Sequence, residues 1–600
     1  MPLFKSEAMN FKKYITVMGA AAMVLGTASC KKYLDRLPLD TITSEAFYQN
    51  ATQVEQGLTG VYNAYGARTI SPGFGNPTPY YAKMDLFTEI GLERGLNGTI
   101  GSGAYNPTTG TVTELWAGFY QVIQRANSLL FNMEKAKSVM DPAQYATVQA
   151  EAKVLRASAY WQLVVYFGDV PLFTGPLSQE EFFGATRTPV KEIVDFLVAD
   201  LKAAAPSLGW LPRDFGRVSR GVALGTAARL ALVDRRYKEV ITLTNDIINN
   251  GPYGLNPVFQ NLFRKTGQGS NAANEIMFIY PFGDADGGSF NYLNLVLGSR
   301  NQGGQSSHFP TQFLVDLFEC RDGKTIDQSP LYDPARPNQN RDPRMRQTVI
   351  VPGDTIVVQG FTSIVFTATN RFLVSFNPAN NAVAVTTTLN QDSSNIFGPR
   401  LNGCGNLWRK YAQDRDVNGT AANLYKVGWI YMRFAEILLM NAEAKMEDGA
   451  PASEVATIVN RVRTRGGMPN VDGATLSNPA TFKALVRREK TVEFANEGIH
   501  MADLRRWDNG AYAQKVMAVQ IYGQPLSNQL FDPALGLIFN TPAPAPIFDP
   551  VYRVPVSWPD GDALRLKREL RIFNANQHIL CPIPQGEIDK VPTLVQNPGW

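Results

Sequence analysis

Between Asp141 and Phe167 the chain places small or apolar side chains at Tyr145, Val148, Ala152, Leu155, Ala159, Leu163 and Tyr166, alternating steps of three and four. That spacing predicts one long amphipathic helix, opened by Asp141 before Pro142 and closed by Gly168. A second pattern follows: Gly221–Val233 and Tyr237–Asn249 predict two helices separated by the tight turn Asp234–Arg236, with Gly251 and Pro252 as the stop. A third pair is expected from about Gly428 to Met446 and from Ala452 to Arg465, cornered by Gly449, Ala450 and Pro451. Recurring antiparallel helix pairs predict a mainly α chain of tetratricopeptide-like units. Their period is not uniform, so pairs packed side by side are expected rather than a regular array.

The pattern changes between the second and third pairs. Val349–Val358 and Ile364–Phe376 alternate β-branched and polar residues and are broken by Pro352, Gly353 and Asp354, which predicts small hairpins. Residues 254–409 form a loop-rich insertion, and 50 glycines and 38 prolines across the chain fit long ordered connections. The expected organisation is a helical scaffold over about 45–253 and 410–515, that insertion, and an extended C-terminal segment over about 516–600. Recognition usually sits on loops that a rigid scaffold carries.

The start of the chain has a different character. Lys12 and Lys13 precede an apolar stretch from Val17 to Ala28, followed by Ser29, Cys30, Lys31 and Lys32. Met9 as the start would bring the two lysines close to the N-terminus. The stretch is shorter than the roughly twenty residues of a spanning helix, so residues 1–29 read as an export signal and Cys30 as a lipidation site. An exported, lipid-anchored protein is expected.

The chemistry open to this chain is narrow. A net charge of +4 on 600 residues, with no basic stretch interleaved with aromatics, argues against nucleic acid. Beyond Cys30, only Cys320, Cys404 and Cys581 remain, widely spaced, so no disulfide framework or CxxC metal knuckle is expected, although one bridge among them stays open. Three histidines leave little for a zinc site. Asp414, Asp416 and Asn418 before Gly419 imitate the first half of a calcium loop, but Tyr425 stands where the bidentate glutamate belongs. An ordinary turn is expected there, and no cofactor; calcium is the weaker alternative.

Three separated segments, taken with that start, resemble the SusD/RagB family of surface nutrient-binding lipoproteins of Bacteroidetes. They are Ser29–Asp40 with Thr43–Tyr48, then Trp116–Asn127 with Ala152–Trp161 and Tyr166–Pro171, and above all Arg487–Trp507, which is similar to the family's helix–turn–helix signature. Pro582–Ile588 and the terminal Gln596–Trp600 close the chain in the same manner. The resemblance implies a SusD-like scaffold that binds an oligosaccharide, or less often a peptide. It also implies a lid over a SusC-like TonB-dependent outer membrane transporter, with no catalytic machinery.

Glu489, Glu493 and Glu497 recur every four residues, about six ångströms apart on one helix face. Two such carboxylates define the rival reading, a surface glycoside hydrolase. Structural ion pairs with Arg487, Arg488, Arg505 and Arg506 across the turn at Gly498 are the stronger expectation. A helical scaffold that binds only protein is a third reading. For the ligand, the family pattern points to loops of the N-terminal part and the insertion, here Arg94, Asn97 and Tyr105 with Tyr292, Asn294 and Arg300. Trp116, Trp161 and Trp507 fall on helix faces and are expected in the core.

Overall fold

The structure, a computed structural model, describes residues 47–66, 80–94, 100–281, 293–358, 363–367, 370–377, 379–380, 382–394, 403–412, 427–525, 529–532, 536–539, 542–561 and 565–600. Ten helices carry the scaffold. They are α1 (Ala51–Gly66), α2 (Gly110–Asn132), α3 (Pro142–Phe167), α4 (Val190–Ala204), α5 (Arg220–Val233), α6 (Tyr237–Asn250), α7 (Phe434–Glu447), α8 (Ala452–Arg465), α9 (Pro479–Phe494) and α10 (His500–Arg506). From α1 to α8 each helix packs on the next, and the run passes from α6 to α7 across all the residues between them. The loop-rich segment is thus inserted into a continuous helical stack, and the chain is mainly α.

Helix α3 starts where Asp141 Oδ1 accepts a hydrogen bond from Gln144 N at 2.9 Å and ends at Gly168, whose φ of 71° suits a residue without Cβ. It differs from an amphipathic surface helix in its second half, where every residue from Val154 to Phe167 is buried. The reason is its central place, with α1, α2, α4 and α5 all packed around it. Its buried charges are matched: Arg156 donates to Asn127 Oδ1 and Asp200 Oδ2 at 2.8 and 2.7 Å, and Arg213 donates to Glu151. Trp116, Trp161 and Trp507 are core residues, 5%, 4% and 2% exposed.

The third helix pair needs a correction. Trp429–Arg433 is a strand, antiparallel to Ile276–Tyr280, and α7 begins only at Phe434. Trp429-Ile-Tyr-Met is a continuous apolar run rich in aromatics, buried on both faces, which suits a core strand and which helical periodicity cannot separate from a buried helix.

The insertion also differs in detail. Val349–Ile350 pairs with Leu407–Trp408, whereas Thr355–Ile356, Ile364–Val365, Phe372–Asn377 and Ala382–Leu389 form a four-stranded antiparallel meander. The last strand escapes the sequence reading, although Val383 and Val385 alternate with small residues. Leu92, Phe309, Ile356, Phe366, Leu407 and Ile521 belong to a small second core under this region. The C-terminal segment adds paired strands Gln520–Pro525 and Arg565–Leu570 and returns to the scaffold, where Asn597 Nδ2 donates to the carbonyl of Phe167 at 2.9 Å.

Candidate functional site

The family-like segment 487–507 forms a charged core instead of a reactive surface. Helix α9 ends at Phe494; Asn496 and Gly498 take positive φ, so Glu497 sits in the turn and not on the helix face. Glu489, Glu493 and Glu497 are 2%, 0% and 6% exposed. Arg344 Nη1 reaches Glu489 at 2.5 Å and Glu493 at 2.9 Å, and Arg433 reaches Glu493 at 2.6 Å and Glu497 at 2.7 Å. Arg465 also pairs with Glu493, Arg463 with Glu489, and Lys410 with Glu497.

These partners correct the sequence reading. Arg487 pairs instead with Asp508, Arg488 with Glu319, and Arg506 with Glu443 and Asp503, while Arg505 lies over the Tyr166 ring. Burial alone would raise the carboxyl groups of Glu493 and Glu497, but the surrounding guanidiniums outweigh it and hold both below the ordinary value. A general acid needs a raised pKa and contact with substrate, so these carboxylates are unsuited to glycosidic acid–base work.

A second arrangement forms where the N-terminal part meets the insertion. Strand Gly91–Glu93 pairs antiparallel with His308–Pro310, which sets Glu93 opposite His308, and Arg94 N donates to the carbonyl of Ser307 at 2.9 Å. On the insertion side, Arg300–Gln302 forms a single 3₁₀ turn capped by Ser299 and closed by Gly303 at φ 81°. Asp392 pins this turn: it accepts from Ser299 Oγ and Asn301 Nδ2 at 2.6 Å and from Arg300 N at 2.9 Å. Burial pushes the Asp392 carboxyl above its ordinary value.

Two guanidiniums meet here. Arg94 Nη1 and Arg300 Nη2 donate to the same carbonyl oxygen, that of Gln305, at 2.9 and 2.7 Å. Both side chains are half-buried. Burial lowers the pKa of each, and for Arg300 the charge of Arg94 lowers it further. Lys83 lies 3.6 Å from Glu93, and His308, buried and close to Lys83 and Arg94, is pushed down to about 3. The junction thus gathers Arg94, Arg300 and Lys83 with Glu93 and Asp392, and the amides of Asn301 and Gln302 donate alongside to Asn390 and to the carbonyl of Val357.

The other sequence candidates fall elsewhere. Tyr105 is 6% exposed and packs between Trp600 and His578, at ring-centroid distances of 4.8 and 5.6 Å, so it is a core residue and not a ligand contact. Asn294 lies on the short helix Leu293–Leu297 beside the junction. Asn97, Tyr292, Cys30 and the calcium-loop candidates Asp414, Asp416 and Asn418 lie outside the described residues. Cys320, Cys404 and Cys581 are buried free thiols. Among the described residues no group of His, Cys, Asp and Glu is arranged to hold a metal ion, and no helix is long and apolar enough to cross a membrane.

Sequence reasoning missed one concavity. A cleft of about 870 Å³ runs along α2, lined by Trp116, Tyr120, Phe173, Phe182 and Phe183 with Gln124. Leu177 and Phe183 stand 40% and 45% exposed on its rim. The signal available was Phe182-Phe183 just after the Ser178 capping box, two aromatics on a five-residue helix too short to bury both.

The scaffold is a helical stack that carries a polar junction between loops of its N-terminal part and its insertion. A model described as the SusD family matches residues 256–600, and one described as starch-binding associating with outer membrane matches residues 32–232. The chain belongs to the SusD family. A SusD-like protein of Formosa agariphila is 24% identical over 81% of this chain and 88% of its own. A SusD-like carbohydrate-binding protein from Bacteroides fragilis superposes with a TM-score of 0.74 at 23% identity, covering 92% of this chain and all of that one. A laminarin-binding SusD-like protein gives 0.61 at 21% identity, covering 92% and 100%.

Proposed function

We propose that this protein captures an oligosaccharide at the outer surface, is anchored by acyl chains on Cys30, and acts as a lid on a SusC-like TonB-dependent transporter. It binds without cleaving and uses no cofactor. The observation that carries the reading is the meeting of Arg94 and Arg300, from distant parts of the chain, on the Gln305 carbonyl beside Asn301 and Gln302. Convergent donors on separate loops suit a hydroxyl-rich ligand and would tighten on closure, so that binding favours the closed lid. Family membership supports it, as does the similarity in fold to a carbohydrate-binding and a laminarin-binding SusD-like protein.

The test is affinity electrophoresis of the full mature chain through gels carrying a panel of glycans. Retardation by at least one glycan is expected; retardation by none, with binding to a peptide library instead, would replace the oligosaccharide by a peptide. Exposed Phe183 and Leu177 favour one alternative location, the α2 cleft, because sugar faces stack on aromatic rings. Phe183→Ala separates the two: it should leave retardation unchanged if ligand sits at the junction. Mass analysis of the mature polypeptide should find an acylated Cys30 as its first residue, and an unmodified chain retaining residues 1–29 would remove the anchor.

A further inference from the structure

We infer that residues 34–42 of this chain occupy the cleft along α2, so that the stretch following Cys30 is laid against the scaffold. The cleft has fixed walls. Tyr120 Oη donates to the carbonyl of Pro171 at 2.8 Å and Asn127 Nδ2 to that of Phe173 at 2.8 Å, which holds the second wall onto α2. Asn127 Oδ1 is taken by Arg156 at 2.8 Å. Those polar groups are spent inside the wall, and the surface left is largely that of Phe182, Phe183, Pro176 and Leu177. A rim with Leu177 and Phe183 standing 40% and 45% exposed suits an apolar cover better than a hydroxyl-rich one.

The place where the described chain begins points to that cover. Tyr48 is hydrogen-bonded to Ser128, which lines the cleft, and its ring lies over Gly57 beside Leu129. The residues before it therefore arrive at one end of the cleft. Among them Leu34, Leu37, Pro38, Leu39 and Ile42 are apolar, and Pro38 biases Leu37 toward the extended backbone that lies along a groove. From Ser128 to Trp116 the cleft follows α2 for about 18 Å, at 1.5 Å per residue. Leu39 and Leu37 stand seven and nine residues before Ala46, which at two-thirds of full extension is about 15 and 20 Å, so both fall within reach of its length. A tethered segment also meets the cleft at an effective concentration of about millimolar, which any free ligand must outcompete. Where Cys30 is acylated, only residues 31–33 then separate the lipid from the cleft, and the α2 face turns toward the membrane.

The test uses the chain from residue 30 onward with Cys30→Ser, so that failure of the anchor and failure of this inference stay distinct. Leu39→Cys is paired with Phe183→Cys on the rim and, as a control, with Val139→Cys, a position 66% exposed past the other end of α2, while Cys320, Cys404 and Cys581 are buried. A short bismaleimide should join 39 to 183 faster than 39 to 139 by about tenfold or more. Adding Leu34→Asp and Leu37→Asp should remove that preference, and the unsubstituted pair decides by itself if this variant does not fold.

Equal rates to 183 and 139 would mean that the segment does not dock, and the inference falls. A product that links two chains in place of one would give the cleft to a second copy, with the same result. If Phe183→Ala abolishes glycan retardation in the folded chain, the cleft belongs to the glycan, and the inference falls while glycan capture stands.

Discussion

Two groups of arginines in this protein meet opposite environments. Inside the scaffold, Arg344 and Arg433 are fully buried, yet carboxylates surround them and raise their pKa well above the ordinary value. At the junction, Arg94 and Arg300 are only half-buried, share one carbonyl acceptor, and are lowered. Burial of charge is tolerated where geometry supplies the counter-charge, and the first group therefore holds the fold. The second group joins distant parts of the chain: both guanidiniums donate to the Gln305 carbonyl, which ties the residue after strand Gly91–Glu93 to the Arg300 turn of the insertion.

Acid should break the first group most completely. Burial pushes Glu319, Glu493 and Glu497 up, but the arginines and Lys410 outweigh it and hold all three below the ordinary 4.5. A depressed folded value means stability that is fully present above 4.5 and lost as pH falls through the folded values. Asp85 works in the opposite sense: raised to about 6 by burial, its share is present below 3.8 and lost as pH rises through about 6. Burial also raises Glu151, Asp316 and Asp392, while Glu443 and Asp508 join the lowered set, most of it tied to arginines; the melting temperature followed by circular dichroism should therefore fall as pH drops from about 4.5 to about 3. An unchanged melting temperature between neutral pH and there would contradict the network's role.

Next in size is Glu493→Ala, which leaves Arg344, Arg433 and Arg465 facing a gap. Breaking a buried pair by removing one partner costs about 3–5 kcal/mol, read from denaturant unfolding. If the substitution instead left stability intact and abolished glycan turnover, the hydrolase reading would return.

How much of this was legible in the chain follows from distance along it. The ends of α3 were local: Asp141, Pro142 and Gly168 act within a turn of where they stand. The glutamate spacing was local too, but its partners come from Arg344, Lys410, Arg433, Arg463 and Arg465, which no window around Glu493 contains. Tyr105 looked like a loop tyrosine because the rings that bury it belong to His578 and Trp600, at the other end of the chain. The pairing of Gly91–Glu93 with His308–Pro310 joins three-residue strands, too short to show alternation, so the meeting of Arg94 and Arg300 emerges only in three dimensions.

A smaller effect should follow from Gly304→Ala. A Cβ at that position would run into the carbonyl oxygen of Gly298, which already accepts from Ser306 N at 3.2 Å and Ser306 Oγ at 3.0 Å. Backbone cannot swing aside as a flexible side chain does, so the turn carrying Arg300 must shift. Overpacking of this kind costs about 1–3 kcal/mol. Because the shift falls at the junction, glycan retardation should drop by more than the loss of stability explains, while the scaffold's unfolding by acid stays as in the native chain. Retardation that is unchanged in the folded variant would detach this turn from ligand capture.

The smallest expected effect is the most discriminating for the contrast between the two arginine groups. Arg300→Gln removes one of two donors to the Gln305 carbonyl and leaves Asp392 its bonds to Ser299, Asn301 and the Arg300 backbone. It also removes a like charge from beside Arg94, which offsets part of the lost hydrogen bond. The net cost should be within about 1 kcal/mol, the range of an ordinary hydrogen bond, and far below that of Glu493→Ala. A loss comparable to Glu493→Ala would mean that Arg300, like Arg344, is there to hold the chain together, and the two groups would then be one.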